Sequence, residues 1–536
     1  MVWITRAIGS ALFTVVFLTP ALLAQEKPTT LLNAPNVTIS TATPEDIQQR
    51  IHKLDLYIEA ACKQWNVPGA SVAVVHKDQV LLSKGYGVRE AGGNVSVDGD
   101  TLFAIASNSK AFTSAALAIL VDEKKLRWDD RVQQHLPWFE LYDEYVSHEM
   151  RISDLLCHRS GLGTFSGDLL WYGTPFTAEE IVQRCKHLKP VGNFRSHFGY
   201  SNVMFLAAGL VIEKLSGKPW SEFIHERILA PNEMTRSITS VRDLITKDNF
   251  ATPHKTLPER SEPIAWVNWD TMAAAGGIIS SANDISKWMR LQLKRGNGPN
   301  SRIFSETSSD EMWQAHTPIR ISPSASKRIP LTHFRSYGLG WGLADYAGKK
   351  LVSHSGGYDG MYSHQILIPE EEFGVIVLTN SMTSLPDSVA NRAVDVALGL
   401  PERDWSSENL TKYEDGRKEF RNQIEEAIKV RAEGTKPSHP LESYTGNFQC
   451  PLFGPASVAL EDGKLLLRLT SNPDMVADLE HQHYDSFVIR WRNKFAWFDE
   501  GSILFVANAR GEFDQLKLDV PNEDLWFYEL DFRRVK

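Results

Sequence analysis

The stretch FAIASNSKAFTSAALAILVDEKKL, residues 103–126, is apolar nearly all round from Ala111 to Val121 and rich in small residues. That is the pattern of a helix buried inside a large domain. Yet it opens on Ser-Asn-Ser-Lys. At i and i+3 on a helix, Ser107 and Lys110 share one face and their side chains can meet. A serine hydroxyl is a weak nucleophile that needs a base held against it. Lysine serves only if its pKa falls, and desolvation and the positive end of a helix both push it down. The plain alternative is that Ser107 caps the helix while Lys110 points to water. Ser-x-x-Lys is weak by itself: a second copy, Ser324 to Lys327 in SPSASKR, stands in an expected loop with no apolar helix after it.

Working outward, TPEDIQQRIHKLDLYIEAACKQW (43–65) has apolar residues at helical spacing behind a Thr-Pro start. GASVAVVHKD and QVLLSKGYG predict two strands joined by a short turn. From about residue 125 to 265, helical patterns and irregular loops dominate. AAAGGIISSANDISKWMRLQL (273–293) returns to strand and then to a helix capped near Ser281. YGLGWGL, KLVSHSGGYDG and HQILIPEEEFGVIVLTNS predict further strands, and a helix follows from Pro386 to Leu400. The expected fold over residues 42–400 is α/β (α+β): a sheet built from both ends of the region, flanked by helices, with a helical insert and a cleft between two lobes. Residues 401–436 are expected as a helical linker, with Phe420, Ile424 and Ile428 on one stripe and Pro437 and Pro440 ending it. In residues 437–536, ESYTGNFQC, ASVALED, KLLLRLT, FVIRW, KFAWFD, ILFVANA, DQLKLDV and LWFYELDF are separated by turn signals. Such spacing predicts a separate antiparallel barrel or sandwich.

Composition narrows the function. The 536 residues are 42% hydrophobic and 23% charged, with a formal charge of −9, ordinary for a soluble globular protein. An acidic balance without a basic cluster argues against nucleic acid as partner. Residues 1–24, MVWITRAIGSALFTVVFLTPALLA, resemble a secretory signal peptide cleaved after Ala24, the alternative being an uncleaved anchor; residues 25–41 follow as a polar linker. The expected location is therefore secreted or periplasmic. No other span is long and apolar enough to cross a bilayer, so no stable membrane insertion is expected once the signal is cleaved. Cys62, Cys157, Cys185 and Cys450 are scattered and off metal-ligand spacing, which makes them core thiols with at most one bridge.

Two later sites give the Ser-Lys pair its company. FGYSNVMFLAAGLVIEKLSG places Tyr200 and Asn202 immediately before another apolar helix, and LVSHSGGYDG puts His354, Ser355, Gly356 and Gly357 at the end of an expected strand. Order and context resemble the serine hydrolases built like penicillin-binding proteins and class C β-lactamases, whose motifs are Ser-x-x-Lys, Tyr-x-Asn and Lys-Thr-Gly or a variant such as His-x-Gly. ISDLLCHRSGL, APNEM, AAAGGIISSANDISKW and YGLGW also fit, and the resemblance covers about residues 42–400. It implies a β-lactamase/transpeptidase-like sheet and an acyl-enzyme on Ser107. It also implies that Lys110 shares the hydroxyl's proton, and that Tyr200, with its phenol lowered by Lys110, serves as base. Asn202 would bind the substrate's amide, His354, Ser355 and Gly356 would line its path, and the backbone N–H groups of Ser107 and Gly357 would form the oxyanion hole. The C-terminal barrel resembles a lipocalin-like module, on the short match ESYTGNF.

One departure matters: the third motif has His354 where β-lactamases carry Lys. Imidazole is mostly neutral at pH 7 and anchors a substrate carboxylate less well. The resemblance then points to a D-aminopeptidase-, peptidase- or esterase-like variant acting on a small-molecule or peptide substrate, weak against β-lactams. The expected protonation of His354 below pH 6 would partly restore that anchor. A penicillin-binding sensor that acylates without turnover, and a binding protein whose barrel captures an apolar ligand, are the competing classes. No cofactor or metal is expected. His481 and His483 in EHQHYD could share a strand face as ligands but are more simply surface or packing histidines. The sequence does not give the oligomeric state.

Overall fold

The computed structural model of the chain describes residues 44–257, 260–429, 431–522 and 524–535. The expected signal peptide and polar linker, residues 1–41, lie outside them, as do the side chains of Ile424 and Ile428.

The central layer is an eight-stranded antiparallel sheet, assembled from both ends of the first 400 residues. Its strands are β1 (Gly69–His76), β2 (Gln79–Gly87), β3 (Thr317–Pro318), β4 (Arg335–Tyr337), β5 (Gly342–Tyr346), β6 (Lys349–Tyr358), β7 (Met361–Ile368) and β8 (Phe373–Thr379). They lie in the order β2-β1-β8-β7-β6-β5-β4-β3. β1 and β8 sit in the middle, paired from Ala70 with Thr379 to His76 with Phe373. Both are buried almost throughout because each face carries helices. Val72, Val74, Val375 and Val377 face α1 (Pro44–Gln64), through Ile51, Leu54 and Ile58. Ala73, Val75, Ile376 and Leu378 face the other side, where α2 (Ser109–Asp122), α3 (Asn202–Ser216) and α4 (Ala282–Leu293) pack. Ser281 caps α4 by accepting the Asp284 N–H, at the position its sequence predicts. α5 (Leu385–Leu398) returns to the α1 side, and α6 (Trp405–Lys429) leads out of the domain.

The last hundred residues close into an eight-stranded antiparallel barrel: β9 (Gly446–Cys450), β10 (Gly454–Glu461), β11 (Lys464–Leu469), β12 (Val476–His483), β13 (Ser486–Trp491), β14 (Gly501–Ala507), β15 (Phe513–Asp519) and β16 (Phe532–Arg534). Its interior is filled by side chains. Tyr444 stacks on Phe513 at 4.3 Å and meets Phe487 and Phe505 edge-on, sealing one end. Two segments expected as strands are not: KFAWFD (494–499) is a loop, and LWFYELDF (525–532) is mostly a loop around the short turn Phe527–Glu529. β12, between β11 and β13, adds a strand that begins at Val476, ahead of the strand face weighed for His481 and His483. His481 and His483 lie on it with separate duties: His481 meets the Tyr484 carbonyl and His483 accepts the Ala432 N–H.

The barrel is not a loosely tethered appendage. Its buried residues join the catalytic domain's in one continuous apolar core. Phe495 and Phe498 meet Tyr172, and Asn472 donates to the Tyr172 carbonyl at 2.7 Å. The Glu529 carboxylate accepts from Ser166 Oγ at 2.5 Å and from the Gly167 N–H at 2.9 Å. The four cysteines are buried free thiols. Glu529→Ala should orphan both donors and cost about 1–3 kcal/mol, read as a lowered urea midpoint by tryptophan fluorescence; an unchanged midpoint would remove this contact from the interface.

Candidate active site

The Ser107 turn is held under strain. α2 begins at Ser109, and Ser107 sits in the preceding 3₁₀ turn Ala106–Asn108, so it does not cap the helix. Ala106 has φ of +46°, left-handed for a residue with a Cβ, a strain that persists only where packing enforces it. Here the enforcement is tight. A Cβ on Gly356 would lie 2.3 Å from the Ile105 carbonyl and 2.8 Å from the Ser107 nitrogen, so only glycine lets β6 run this close. Asn108 donates to Ser363 Oγ at 2.8 Å, and Ser363 donates to the Ile105 carbonyl, tying the turn to β7 as well.

Lys110, in the first turn of α2, is fully buried. Its Nζ lies 3.0 Å from Ser107 Oγ, 2.6 Å from Asn202 Oδ1 and 2.9 Å from the Ala275 carbonyl. Burial disfavours the ammonium and brings its pKa down to about 7, against an opposing pull from Asp168. The pair thus lies within hydrogen-bond reach, as its spacing predicts. The second copy differs: Ser324 is the second residue of a short exposed helix, Pro323–Arg328, where its hydroxyl meets Ser322. The expected loop is a helix, and no buried lysine faces that serine.

Tyr200 and Asn202 are delivered by the segment that enters α3. His158 anchors it: its Nδ1 accepts the Ser201 N–H at 3.0 Å, and its ring lies 4.2 Å from the Tyr200 ring. The Tyr200 ring centroid is 4.8 Å from Lys110 Nζ. The phenol differs from expectation: burial raises its pKa, and hydrogen bonding with Ser107 offsets this only in part. Burial therefore favours the protonated phenol at neutral pH. Asn202 is engaged at both ends, accepting from Lys110 and donating Nδ2–H to Asp168 Oδ2 at 2.6 Å, which leaves one N–H.

His354 also departs from expectation. Its Nε2 sits 2.6 Å from the Tyr337 hydroxyl and its Nδ1 2.6 Å from the Ser355 carbonyl. Burial, then the Lys110 charge, depress its pKa to about 3. The ring is neutral across the working range, with both nitrogens committed inside the protein. Burial and these two bonds oppose the expected protonation below pH 6.

Ser107, Tyr200, Asn202, His354, Ser355 and Gly357 line one cleft of about 480 Å³. Gly356 lies behind it against the Ser107 turn. The other lining residues include Asp168, and Trp497, Asp524 and Leu525 from the barrel. Trp497 lies over β6, 3.3 Å from where a Gly357 Cβ would be. Near it, buried Asp359 accepts from Tyr172 Oη at 2.8 Å and Trp269 Nε1 at 3.0 Å, and burial pushes its pKa up to about 6. An acidic residue inside the apolar run FSGDLLWYG was a readable sign of a buried charge at Asp168. No sequence sign marked Asp524.

Residues 54–399 match the family described as Beta-lactamase, and residues 430–534 match one described as Domain of unknown function (DUF3471). The Unguisins hydrolase ungD' of Aspergillus campestris is 30% identical over 76% of this chain and 78% of its own length. The octameric penicillin-binding protein homologue from Pyrococcus abyssi superposes with a TM-score of 0.59 at 22% identity, covering 88% of this chain and 98% of its own. EstCE1, a hydrolase with promiscuous acyltransferase activity, gives 0.53 at 18% identity, over 66% of this chain and 99% of its own. With the family model spanning most of the chain, and the Ser-Lys, Tyr-x-Asn and His-x-Gly segments gathered around one cleft, this chain belongs to the beta-lactamase family of hydrolases, joined to a lipocalin-like barrel.

Proposed function

We propose that this protein is an exported serine hydrolase that forms an acyl-enzyme on Ser107 and hydrolyses an ester or amide, with little activity on β-lactams. The observation that carries the reading is the Lys110 amine, 3.0 Å from Ser107 Oγ in a dry setting with a pKa of about 7. As a neutral amine it keeps two N–H bonds, to Asn202 Oδ1 and the Ala275 carbonyl, and turns its lone pair to the Ser107 hydroxyl.

Ser107 Oγ attacks the carbonyl carbon while its proton passes to Lys110. The carbonyl oxygen gains the charge and rests on the N–H groups of Ser107 and Gly357. Collapse expels the alcohol or amine, which takes a proton through the Tyr200 hydroxyl, itself resupplied from Lys110. Water then attacks the ester carbonyl, giving a proton to Lys110 along the same path; collapse breaks the bond to Ser107 Oγ, which takes that proton back, and the acid product is released. A protonated Tyr200 suits this relay. A relative named for hydrolysing unguisins supports hydrolysis over permanent acylation. Export rests on the sequence of residues 1–24 alone.

The weakness toward β-lactams follows from charge. Among the described residues the cleft lining contains no lysine or arginine, and His354 is neutral and internally bonded. A substrate carboxylate therefore finds no cation, and a hydrogen bond to a charged partner is worth about 1.5–3 kcal/mol.

A fluorescent phosphonate should label Ser107 and leave Ser324 unlabelled, as mapped by mass spectrometry; an adduct elsewhere overturns the assignment. Labelling followed by no turnover of any ester or amide would establish the sensor instead. Lys110→Ala should lower kcat/KM on nitrophenyl esters at least about a hundredfold.

The pH profile should carry one step. Protonated Lys110 cannot accept the serine proton, so kcat/KM should rise with pH through about 7. His354, already neutral above about 3, adds no second step between pH 5 and 8. A limb that disappears in His354→Gln would show that the imidazole titrates after all.

A further inference from the structure

Resting on the acyl-enzyme reading, we infer that Asp359 is a positioning residue: from behind the cleft its carboxylate fixes Trp269 and Tyr172, and so sets an aromatic wall of Trp171, Trp269 and Trp497 that receives a flat apolar group of the substrate.

Asp359 is 1% exposed and has no part in acylation or deacylation. It follows Tyr358 at the end of β6, two residues beyond Gly357, in a turn with little room to shift. Gly360 has a φ of +75°, and a Cβ there would lie 2.5 Å from the His254 nitrogen. That same nitrogen donates to the Gly360 carbonyl at 3.0 Å. The Tyr358 hydroxyl accepts the Val267 N–H at 2.7 Å and donates to the Val267 carbonyl at 2.5 Å. A carboxylate placed so deep is costly unless donors surround it. Its donors are neutral side chains, Tyr172 Oη at 2.8 Å from Oδ1 and Trp269 Nε1 at 3.0 Å from Oδ2. Burial pushes its pKa up to about 6, opposed by these bonds and by the nearby Trp497 indole, whose own N–H ends without a bond of proper geometry.

An indole has one polar hydrogen. With Nε1–H committed to Asp359, the Trp269 ring is held against turning over, and its apolar surface is what remains for the cleft it lines. Trp171 meets that ring edge-on at 5.0 Å, and Trp497 approaches Gly357 from the barrel; both line the same cleft. Fixed faces of this kind suit a planar apolar group, because aromatic pairs favour set offset or edge-on geometries. Tyr172 stands behind the lining and ties Asp359 to the barrel. Its carbonyl accepts from Asn472 at 2.7 Å, and its ring meets Phe495 and Phe498, which flank Trp497 in sequence. One carboxylate thus steadies wall pieces from both domains, beside the strand that carries Gly357.

The test uses the full chain and three thioesters whose released thiol is read with a chromogenic disulfide: S-ethyl thioacetate, S-ethyl 3-phenylthiopropionate and S-phenethyl thioacetate. The last two place a phenyl ring on the acyl side and on the leaving side in turn. In the wild type, kcat/KM for at least one phenyl thioester should exceed that for S-ethyl thioacetate about tenfold or more. Asp359→Leu should bring that ratio to within about twofold of one, while kcat/KM for S-ethyl thioacetate stays within about threefold of wild type. Asp359→Asn should restore the ratio, since the amide Oδ1 accepts from Trp269 while Nδ2–H donates to the Tyr172 oxygen. Tyr172→Phe removes one donor and leaves the lining intact; it should lower the ratio about threefold and keeps the test decisive if Asp359→Leu fails to fold. Absence of any phenyl preference in the wild type overturns the wall and leaves the acyl-enzyme reading standing. So does a preference unchanged in Asp359→Leu and Tyr172→Phe, or an equal loss on small and phenyl thioesters. Failure of every thioester and of the fluorescent phosphonate to acylate Ser107 removes that reading and the role of Asp359 with it.

Discussion

Lys110 Nζ is sealed in the protein interior with three oxygen partners, and each partner comes from a different part of the chain. Lowering a lysine pKa from 10.5 to about 7 means that its surroundings disfavour the ammonium by on the order of 5 kcal/mol. Such a group stays inside only if every hydrogen bond is met in either protonation state. That demand sets the entry of α3, which must present Asn202, and the turn at Ala275, which must present its carbonyl. It also sets the burial of Asp168, whose carboxyl fixes the Asn202 amide from behind. Gly356 answers the same demand from the sheet, since only there can β6 close over the Ser107 turn without a clash.

What was legible in the sequence followed from local pattern. The small-residue helix after Ser107, the sheet strands of residues 69–87 and 349–379, and the cap at Ser281 all show periodicity or turn chemistry within a short window. The three catalytic segments carry order and flanking context besides. Protonation states were less legible, because they depend on what is packed around a group. His354 was expected to titrate near neutrality, and Tyr200 to be lowered by Lys110. Tyr337, 17 residues from His354 in sequence, and the depth of the cleft reversed both expectations.

The two misread strands are instructive because they failed for one reason. KFAWFD and LWFYELDF are short apolar runs, as buried strands would be, yet several of their apolar side chains pack against the catalytic domain or line the cleft. Phe495 and Phe498 meet Tyr172 across the interface, and Leu525 lines the site. Burial produced the pattern; the partner surface was another domain and not a neighbouring strand. Periodicity reports that a face is covered, without saying what covers it. VADLEHQH, conversely, is a true strand whose polar residues face water on the barrel's outside, so it reads weakly.

Closing eight strands on themselves satisfies the barrel's backbone without help from the catalytic domain, and it leaves the connections between strands free to differ. The segment bearing Trp497 starts after β13 and returns at β14; the one bearing Asp524 and Leu525 starts after β15 and returns at β16. Lengthening such a loop is cheap, about 0.6 kcal/mol for each doubling. The wall of the cleft is therefore open to insertion, deletion and exchange at two connections between barrel strands, while Ser107 and Lys110 stay in a rigid core far away in the chain. Descendants of one ancestral hydrolase could diverge in diet without relearning their chemistry.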